Sequence, residues 1–204
     1  MRQAISSKKL PTEKVVMLGA ASTGKTSIVN RYISNQFSDS NESTIGAAFA
    51  SKIIKNGDRE INLEIWDTGG SEKYRSLAPM YYRDTNSAII VFDLTSKPTL
   101  RAAQDWLNEL HEKGPPFVHI ALAGNKADLI SQKEIQDDTI QEFLDFNQIS
   151  IYKETSAQNG SNIQELFTEL IETSPHLKPS NKSQTIVDNT PLEGDSSNKK
   201  DSCC

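Results

Sequence analysis

The eight residues Gly19-Ala20-Ala21-Ser22-Thr23-Gly24-Lys25-Thr26 constrain this chain more than any other stretch. They match G-x-x-x-x-G-K-[ST] and stand between an apolar run, Val15-Val16-Met17-Leu18, and a helical pattern expected to begin near Lys25. The glycines let backbone N–H groups turn inward around a β-phosphate. The helix N-terminus adds partial positive charge, and Lys25 can reach β and γ oxygens. Thr26 offers a hydroxyl to Mg²⁺. A Gly-containing turn before an ordinary helix is the plain alternative; strand-then-helix context argues against it.

Such a loop needs strands alternating with helices, and the chain supplies them. Short apolar runs fall at 15–18, 61–65, 88–92, 119–123 and 149–152, which implies an α/β protein with a mostly parallel sheet. Asn56-Gly57 separates Ser51-Lys52-Ile53-Ile54 from the strand at 61–65 and suits a tight hairpin, so one edge strand is expected to run antiparallel. Ile163, Leu166, Phe167, Leu170 and Ile171 share one helix face. Leu100, Ala103, Leu107 and Leu110 form a similar stripe, stopped by Pro115-Pro116. There is no internal repeat.

Three further motifs narrow the ligand. In Asn125-Lys126-Ala127-Asp128, the Asp128 carboxylate is placed to accept from N1–H and the exocyclic amine of guanine, a donor pair adenine lacks. A carboxylate facing the wrong edge would be desolvated without partners, which disfavours ATP. Alone, this motif is a polar turn; behind a phosphate loop it is specific. Glu154-Thr155-Ser156-Ala157 ends the next strand, where the Ala157 N–H is expected to donate to guanine O6. Asp67-Thr68-Gly69-Gly70 closes the strand at 61–65, with Asp67 holding Mg²⁺ through water and the Gly70 N–H facing the γ-phosphate. Thr44 is the remaining candidate Mg²⁺ ligand. A P-loop kinase or ATPase stays open as an alternative, and would make Asn125 to Asp128 a coincidence.

Four motifs in this order resemble the Ras superfamily of small GTPases over roughly residues 13–174. Ser43-Thr44-Ile45-Gly46-Ala47-Ala48-Phe49, Trp66-Asp67-Thr68, the stretch from Tyr74 to Arg83 and the final Cys203-Cys204 are similar to the Rab family, and within it to the early-endosomal Rabs. The resemblance implies a three-layer α/β P-loop GTPase fold: a six-stranded, mostly parallel sheet with one antiparallel edge strand and helices on both faces. It implies an N-terminal extension over 1–12, a GTPase domain over 13–177 and a tail over 178–204. It implies GTP/GDP and Mg²⁺ as ligands. Ala21, Ser22, Thr23, Gly24, Lys25, Thr26, Ser27, Thr44, Gly70, Asn125, Lys126, Asp128, Ser156 and Ala157 would then surround the nucleotide, with Phe37 packing edge-on against guanine. Thr26, Thr44 and Asp67 would serve the metal, and Lys25, Thr44, Gly70 and Ser71 would stand at the reacting phosphate. Phe49, Trp66 and Tyr81 match an aromatic triad that effectors read; aromatic anchors bury large area with few rotatable bonds. Phe49 and Trp66 also suit a core, and that alternative stays open. The implied function is a switch in endosomal vesicle traffic. The implied partners are a GEF, a GAP, a GDP-dissociation inhibitor, Rab escort protein with geranylgeranyl transferase, and tethering effectors around a monomeric G domain.

The chain departs from that pattern at the hydrolytic centre. Ser71 stands where most members carry the glutamine that orients the attacking water, and its hydroxyl cannot span the same distance. Because this catalysis is mostly positioning and charge stabilisation, slow intrinsic hydrolysis is expected. Gly69 adds backbone freedom beside it. Gln158 replaces a lysine whose stem covers the nucleotide. A GAP that brings its own arginine and glutamine would bypass Ser71, and a non-hydrolysing GTP-binding scaffold is the competing reading.

The two cysteines are the last two residues, so the body holds no disulfide and a reducing cytosol fits. Placed there, Cys203 and Cys204 match a double-geranylgeranylation signal, and two prenyl chains hold a protein on a membrane where one is marginal. From Lys178 onward the apolar pattern gives way to a composition that does not offset its ordering entropy, and its four lysines balance four acids. As a coil this leash spans about 30 Å. The cytosol and the cytosolic face of endosomal membranes are the expected location. No run approaches the ~20 apolar residues of a membrane span. With 22 basic against 27 acidic residues there is no footprint for nucleic acid. His111, His119 and His176 share no ligand spacing.

Overall fold

The computed structural model describes residues 10–39 and 42–177. The expected N-terminal extension, the tail and both cysteines lie wholly or largely outside these residues. Six strands form one sheet in the order β2-β3-β1-β4-β5-β6: β1 Thr12–Leu18, β2 Ala47–Asn56, β3 Arg59–Thr68, β4 Ser87–Asp93, β5 His119–Asn125 and β6 Ile151–Thr155. Only the β2–β3 pairing is antiparallel, so β2 is the antiparallel edge strand. Five α-helices accompany the sheet: α1 Lys25–Ser34, α2 Ala78–Tyr82, α3 Lys97–Lys113, α4 Asp137–Asn147 and α5 Ile163–Thr173.

The continuous apolar run of β1 follows from burial on both faces. Val15 and Met17 join Ile65, Ile89, Val91 and Ala121 under α1 and α5, while Val16 and Leu18 join Ala88, Ile90, Phe92 and Leu122 under α3 and α4. All five stripe residues of α5 and all four of α3 are buried. Each of these side chains larger than Ala103 contributes about 1.5–3 kcal/mol of transfer free energy. The α3 pattern also conceals Trp106 and Glu109, both buried and neither in the expected stripe.

Two boundaries differ from expectation. The hairpin turn is Gly57-Asp58 rather than Asn56-Gly57, because Asn56 pairs with Arg59 in the ladder and Gly57, at φ +58, takes the first central position. Strand β6 starts at Ile151, two residues late, because the Ile149 N–H donates to Leu144 O and closes the end of α4. An apolar run does not reveal which of its residues pair in a sheet.

Candidate nucleotide-binding site

The C-terminal ends of β3 and β5, with the loops that follow β1 and β6, line one cleft of about 430 Å³, the usual place for a ligand in an open α/β sheet. Its floor is the loop after β1. Gly19 has φ +142, and a Cβ there would lie 2.2 Å from Val91 O. Gly24 has φ +91, and its Cβ would meet Asn125 Nδ2 at 2.2 Å. Each glycine thus meets a conformational and a steric demand together. Ser22 adds a third left-handed residue at φ 62. Thr23 Oγ1 donates to Ala20 O at 3.0 Å, closing the turn. Helix α1 begins at Lys25 with no side-chain cap, which leaves its first N–H groups to the cleft.

Lys25 is 5 % exposed, and its ammonium donates to Gly19 O at 2.9 Å and Ala20 O at 2.8 Å. Burial pushes it down to about 8, against the opposing pull of Asp67. A buried cation held only by carbonyls suits an anionic ligand that would replace them.

Thr26, Thr44 and Asp67 come from three separate segments and meet at one point. Thr26 Oγ1 donates to Asp67 Oδ2 at 2.6 Å and lies 2.9 Å from Thr44 Oγ1. Asp67 is 2 % exposed, and its Oδ1 has no hydrogen-bond partner. Burial pushes this carboxyl up from its usual range, with Thr26, Lys25 and Thr44 pulling it back. A buried carboxylate oxygen without a donor, beside two hydroxyls and no nitrogen or sulfur ligand, fits a hard cation that keeps several waters, as Mg²⁺ does.

Gly70 lies so close to this cluster that a Cβ would stand 2.4 Å from both Ala20 O and Lys25 Nζ. The Gly69 N–H donates to Gly46 O at 2.8 Å, joining the segment after β3 to the segment before β2. Ser71 is partly exposed and borders the cleft, as do Ala21, Ser22 and Ser27.

At the far end, Asn125 borders the cleft but its side chain is engaged. Nδ2 donates to Thr23 O at 2.9 Å, and Oδ1 accepts from the Ala157 N–H at 3.2 Å and Thr155 Oγ1 at 3.3 Å. Asn125 thus ties three loops together, and the Ala157 N–H, which also borders the cleft, donates to it. Asp128 Oδ1 accepts from Ser156 Oγ at 2.5 Å, which orients the carboxylate. Lys126, at φ 68, pairs with Asp93 Oδ2 at 2.5 Å. Phe37 lines the cleft and packs against the α1–α5 core. Arg31 was not anticipated: its Nε donates to Ala157 O at 2.9 Å and Nη2 to Gln158 O at 2.6 Å, pinning that loop to α1. These two carbonyls lie over 120 residues away, so no local motif signals the link.

Phe49, Trp66 and Tyr81 are brought together outside the cleft. Phe49 and Trp66 face each other across the β2–β3 ladder with ring centroids 5.3 Å apart, and Trp66 lies 5.8 Å from Tyr81. Phe49 is 54 % exposed, and Ile45 and Met80 are exposed as well. No helix among the described residues is long and apolar enough to cross a membrane.

Residues 14–176 match the model of the Ras family. Over 94 % of both chains the protein is 39 % identical to "Ras-related protein Rab-5A" of Dictyostelium discoideum. It is 40 % identical to "Ras-related protein RABF2a" of Arabidopsis thaliana over 92 % of this chain and 94 % of that one. With "Ras-related protein Rab5" of Nicotiana tabacum it shares 39 % identity over 94 % of each. The chain therefore belongs to the Ras family of small GTPases, GTP hydrolases that bind GTP or GDP with Mg²⁺, and within it to the early-endosomal Rabs.

Proposed function

We propose that this chain is a vesicle-traffic switch of endosomal membranes whose intrinsic GTP hydrolysis is slow. The observation that carries the reading is the meeting of Thr26, Thr44 and Asp67 beside Lys25, with Asp67 Oδ1 unpartnered at the cleft floor. In this reading Thr26, Thr44 and Asp67 are the residues that would hold Mg²⁺, the two hydroxyls directly and the carboxylate through water. Bound there, Mg²⁺ would supply charge neutralisation at the phosphates. The Lys25 ammonium exchanges its two carbonyl partners for phosphate oxygens, and the Gly70 N–H faces the terminal phosphate. Asp128, oriented by Ser156, reads guanine, while Asn125 and Arg31 keep the loops around the base in register. Residues 13–177 form the GTPase domain.

Ser71 is the reason for slow turnover. It borders the cleft at the position from which a water would be oriented, with a side chain two bonds shorter in reach than a glutamine carboxamide. Single-turnover hydrolysis with Mg²⁺ tests this: Ser71→Gln is expected to raise the rate on the order of tenfold. An unchanged rate would sink the proposal. The same assay with a Rab GAP separates a slow switch, which then releases phosphate, from a non-hydrolysing scaffold, which does not.

The exposed Phe49, with Trp66 and Tyr81 behind it, is the surface read by tethering effectors, and Ile45 and Met80 extend it. Membrane attachment is assigned to prenyl groups on Cys203 and Cys204. The partners that load, extract and reset the switch are those of Rab proteins: prenylation machinery, GDP-dissociation inhibitor, GEF and GAP. A tagged chain lacking both cysteines is expected to stay in the cytosol while the intact one marks endosomes.

A further inference from the structure

The segment after Gly70 leaves the cleft through a 3₁₀ turn over Glu72–Leu77 and the short helix α2, then returns to the sheet. It is fastened to α3 at two points, within the 3₁₀ turn and at the end of α2, by one side chain. Arg75 Nε donates to Glu109 Oε2 at 2.7 Å, and Tyr82 Oη donates to Glu109 Oε1 at 3.2 Å. The Arg75 guanidinium also lies 4.7 Å over the Trp106 ring and donates from Nη2 to Asp105 O at 3.3 Å. Lys113 stands 3.9 Å from Glu109 Oε1. Glu109 itself is 9 % exposed, so its charge is removed from water and compensated by groups belonging to a different segment. Such a pair is costly to break from one side, because the carboxylate left behind stays buried.

The fastening has a direction. Upstream of Arg75, Gly70 sits against Lys25 Nζ and Ala20 O with no room for a Cβ, and the Gly69 N–H binds Gly46 O. A displacement of the segment is therefore felt at the phosphate loop and at the Thr44 side of the cleft. In the same structure Thr44 is drawn in to Thr26, so the latch coexists with the closed metal cluster. Nothing in the phosphate, metal or base motifs requires Glu109, and no part of the cleft wall includes it.

We propose that Glu109 is a positioning residue: through Arg75 and Tyr82 it holds the 71–82 segment where Gly70 meets Lys25, and so favours binding of the nucleoside triphosphate over the diphosphate. The inference rests on the nucleotide reading of the cleft. By linkage, a latch that forms preferentially with the γ-phosphate contact must strengthen triphosphate binding by the same factor by which the triphosphate strengthens the latch. Couplings of this kind are typically about 5- to 150-fold.

The test measures affinities of full-length protein for a non-hydrolysable GTP analogue and for GDP, both with Mg²⁺, in Glu109→Gln, Arg75→Gln and Arg75→Lys. Glu109→Gln keeps the volume and removes the charge; it and Arg75→Gln are expected to lower the GTP-analogue to GDP affinity ratio about tenfold. Arg75→Lys, which keeps a cation without the planar fork, is expected to recover part of the loss. Hydrogen exchange of amides 71–82 should rise in the analogue-bound variants more than in the GDP-bound ones. A merely structural contact would lower the melting temperature, leave the affinity ratio within twofold of wild type and raise exchange equally in both states; that result overturns the proposal. Should Glu109→Gln not fold, the partly exposed Arg75→Gln decides alone. If the unaltered protein binds neither nucleotide, the reading of the cleft falls and this inference with it. If it binds both and the ratio does not move, only the latch falls.

Discussion

Asp67 and Glu13 stand at opposite ends of the paired strands β3 and β1, and each is a buried carboxyl with one oxygen lacking a partner. Burial pushes both up from the usual carboxylate range. Their surroundings separate them. Asp67 stands beside the cleft with Thr26, Thr44 and the Lys25 ammonium at hand. Glu13 is sealed at the other end of the sheet, where Ser87 Oγ donates to Oε1 at 2.5 Å and Ser174 Oγ to the same oxygen at 2.9 Å. One carboxyl therefore stands among groups that a ligand could engage, and the other is a clamp joining the starts of β1 and β4 to the end of α5. Burial of an acid says nothing of function until its neighbours are known to be replaceable by a ligand.

Removing charge at each end breaks the comparison most directly. Asp67→Asn is expected to weaken Mg²⁺-dependent GTP binding by roughly 10- to 100-fold, the usual cost of an outer-shell partner of a metal. Fluorescent-nucleotide titration at varied Mg²⁺ measures it, and an unchanged Mg²⁺ requirement would remove Asp67 from the metal site. Gly70→Ala comes next. Its methyl group must displace Ala20 O or Lys25 Nζ, so triphosphate affinity is expected to fall about tenfold, with GDP affected less, when the two are titrated side by side.

The smallest effect belongs to Glu13, and it concerns stability alone. A carboxyl whose folded pKa lies above its unfolded one contributes stability that is fully present below the unfolded value, 4.5, and is lost as pH rises through the folded value. At neutral pH the group is thus a burden. Glu13→Gln is expected to raise stability by on the order of 1 kcal/mol, a shift of roughly 2–4 °C in melting temperature. The gain should shrink toward acid pH, and nucleotide affinities should not change. Calorimetry across pH 4 to 8 that showed a gain independent of pH would mean the clamp is not governed by the carboxyl's ionisation.

The readable parts of this molecule are those whose physics is local. The glycines of the phosphate loop, the 3.6-residue stripes of α3 and α5 and the antiparallel edge strand all declare themselves within a few residues. Errors arose where a local pattern competes with a partner elsewhere: Ile149 looks like strand but closes α4, and the hairpin turn moves one residue because Asn56 finds Arg59. Asn125 belongs to a recognisable motif, yet its engagement with Thr23 and Ala157 depends on loops 102 and 32 residues away. Arg31, Glu109 and Glu13 escaped altogether. A charged residue on a helix or at a strand start is normally solvated, and only tertiary packing buries it.

What the sequence determined by itself is the alternation of strands and helices, the phosphate loop and the polar turn Asn125-Lys126-Ala127-Asp128 at the cleft, because each is encoded by spacing along the chain and needs no distant partner to be specified. Tertiary structure alone decided which buried acid faces a cleft and which is sealed, and that Glu109 fastens the 71–82 segment at Arg75 and Tyr82. Burial and partnership are properties of where the chain returns, and those returns join residues 27 to 161 positions apart.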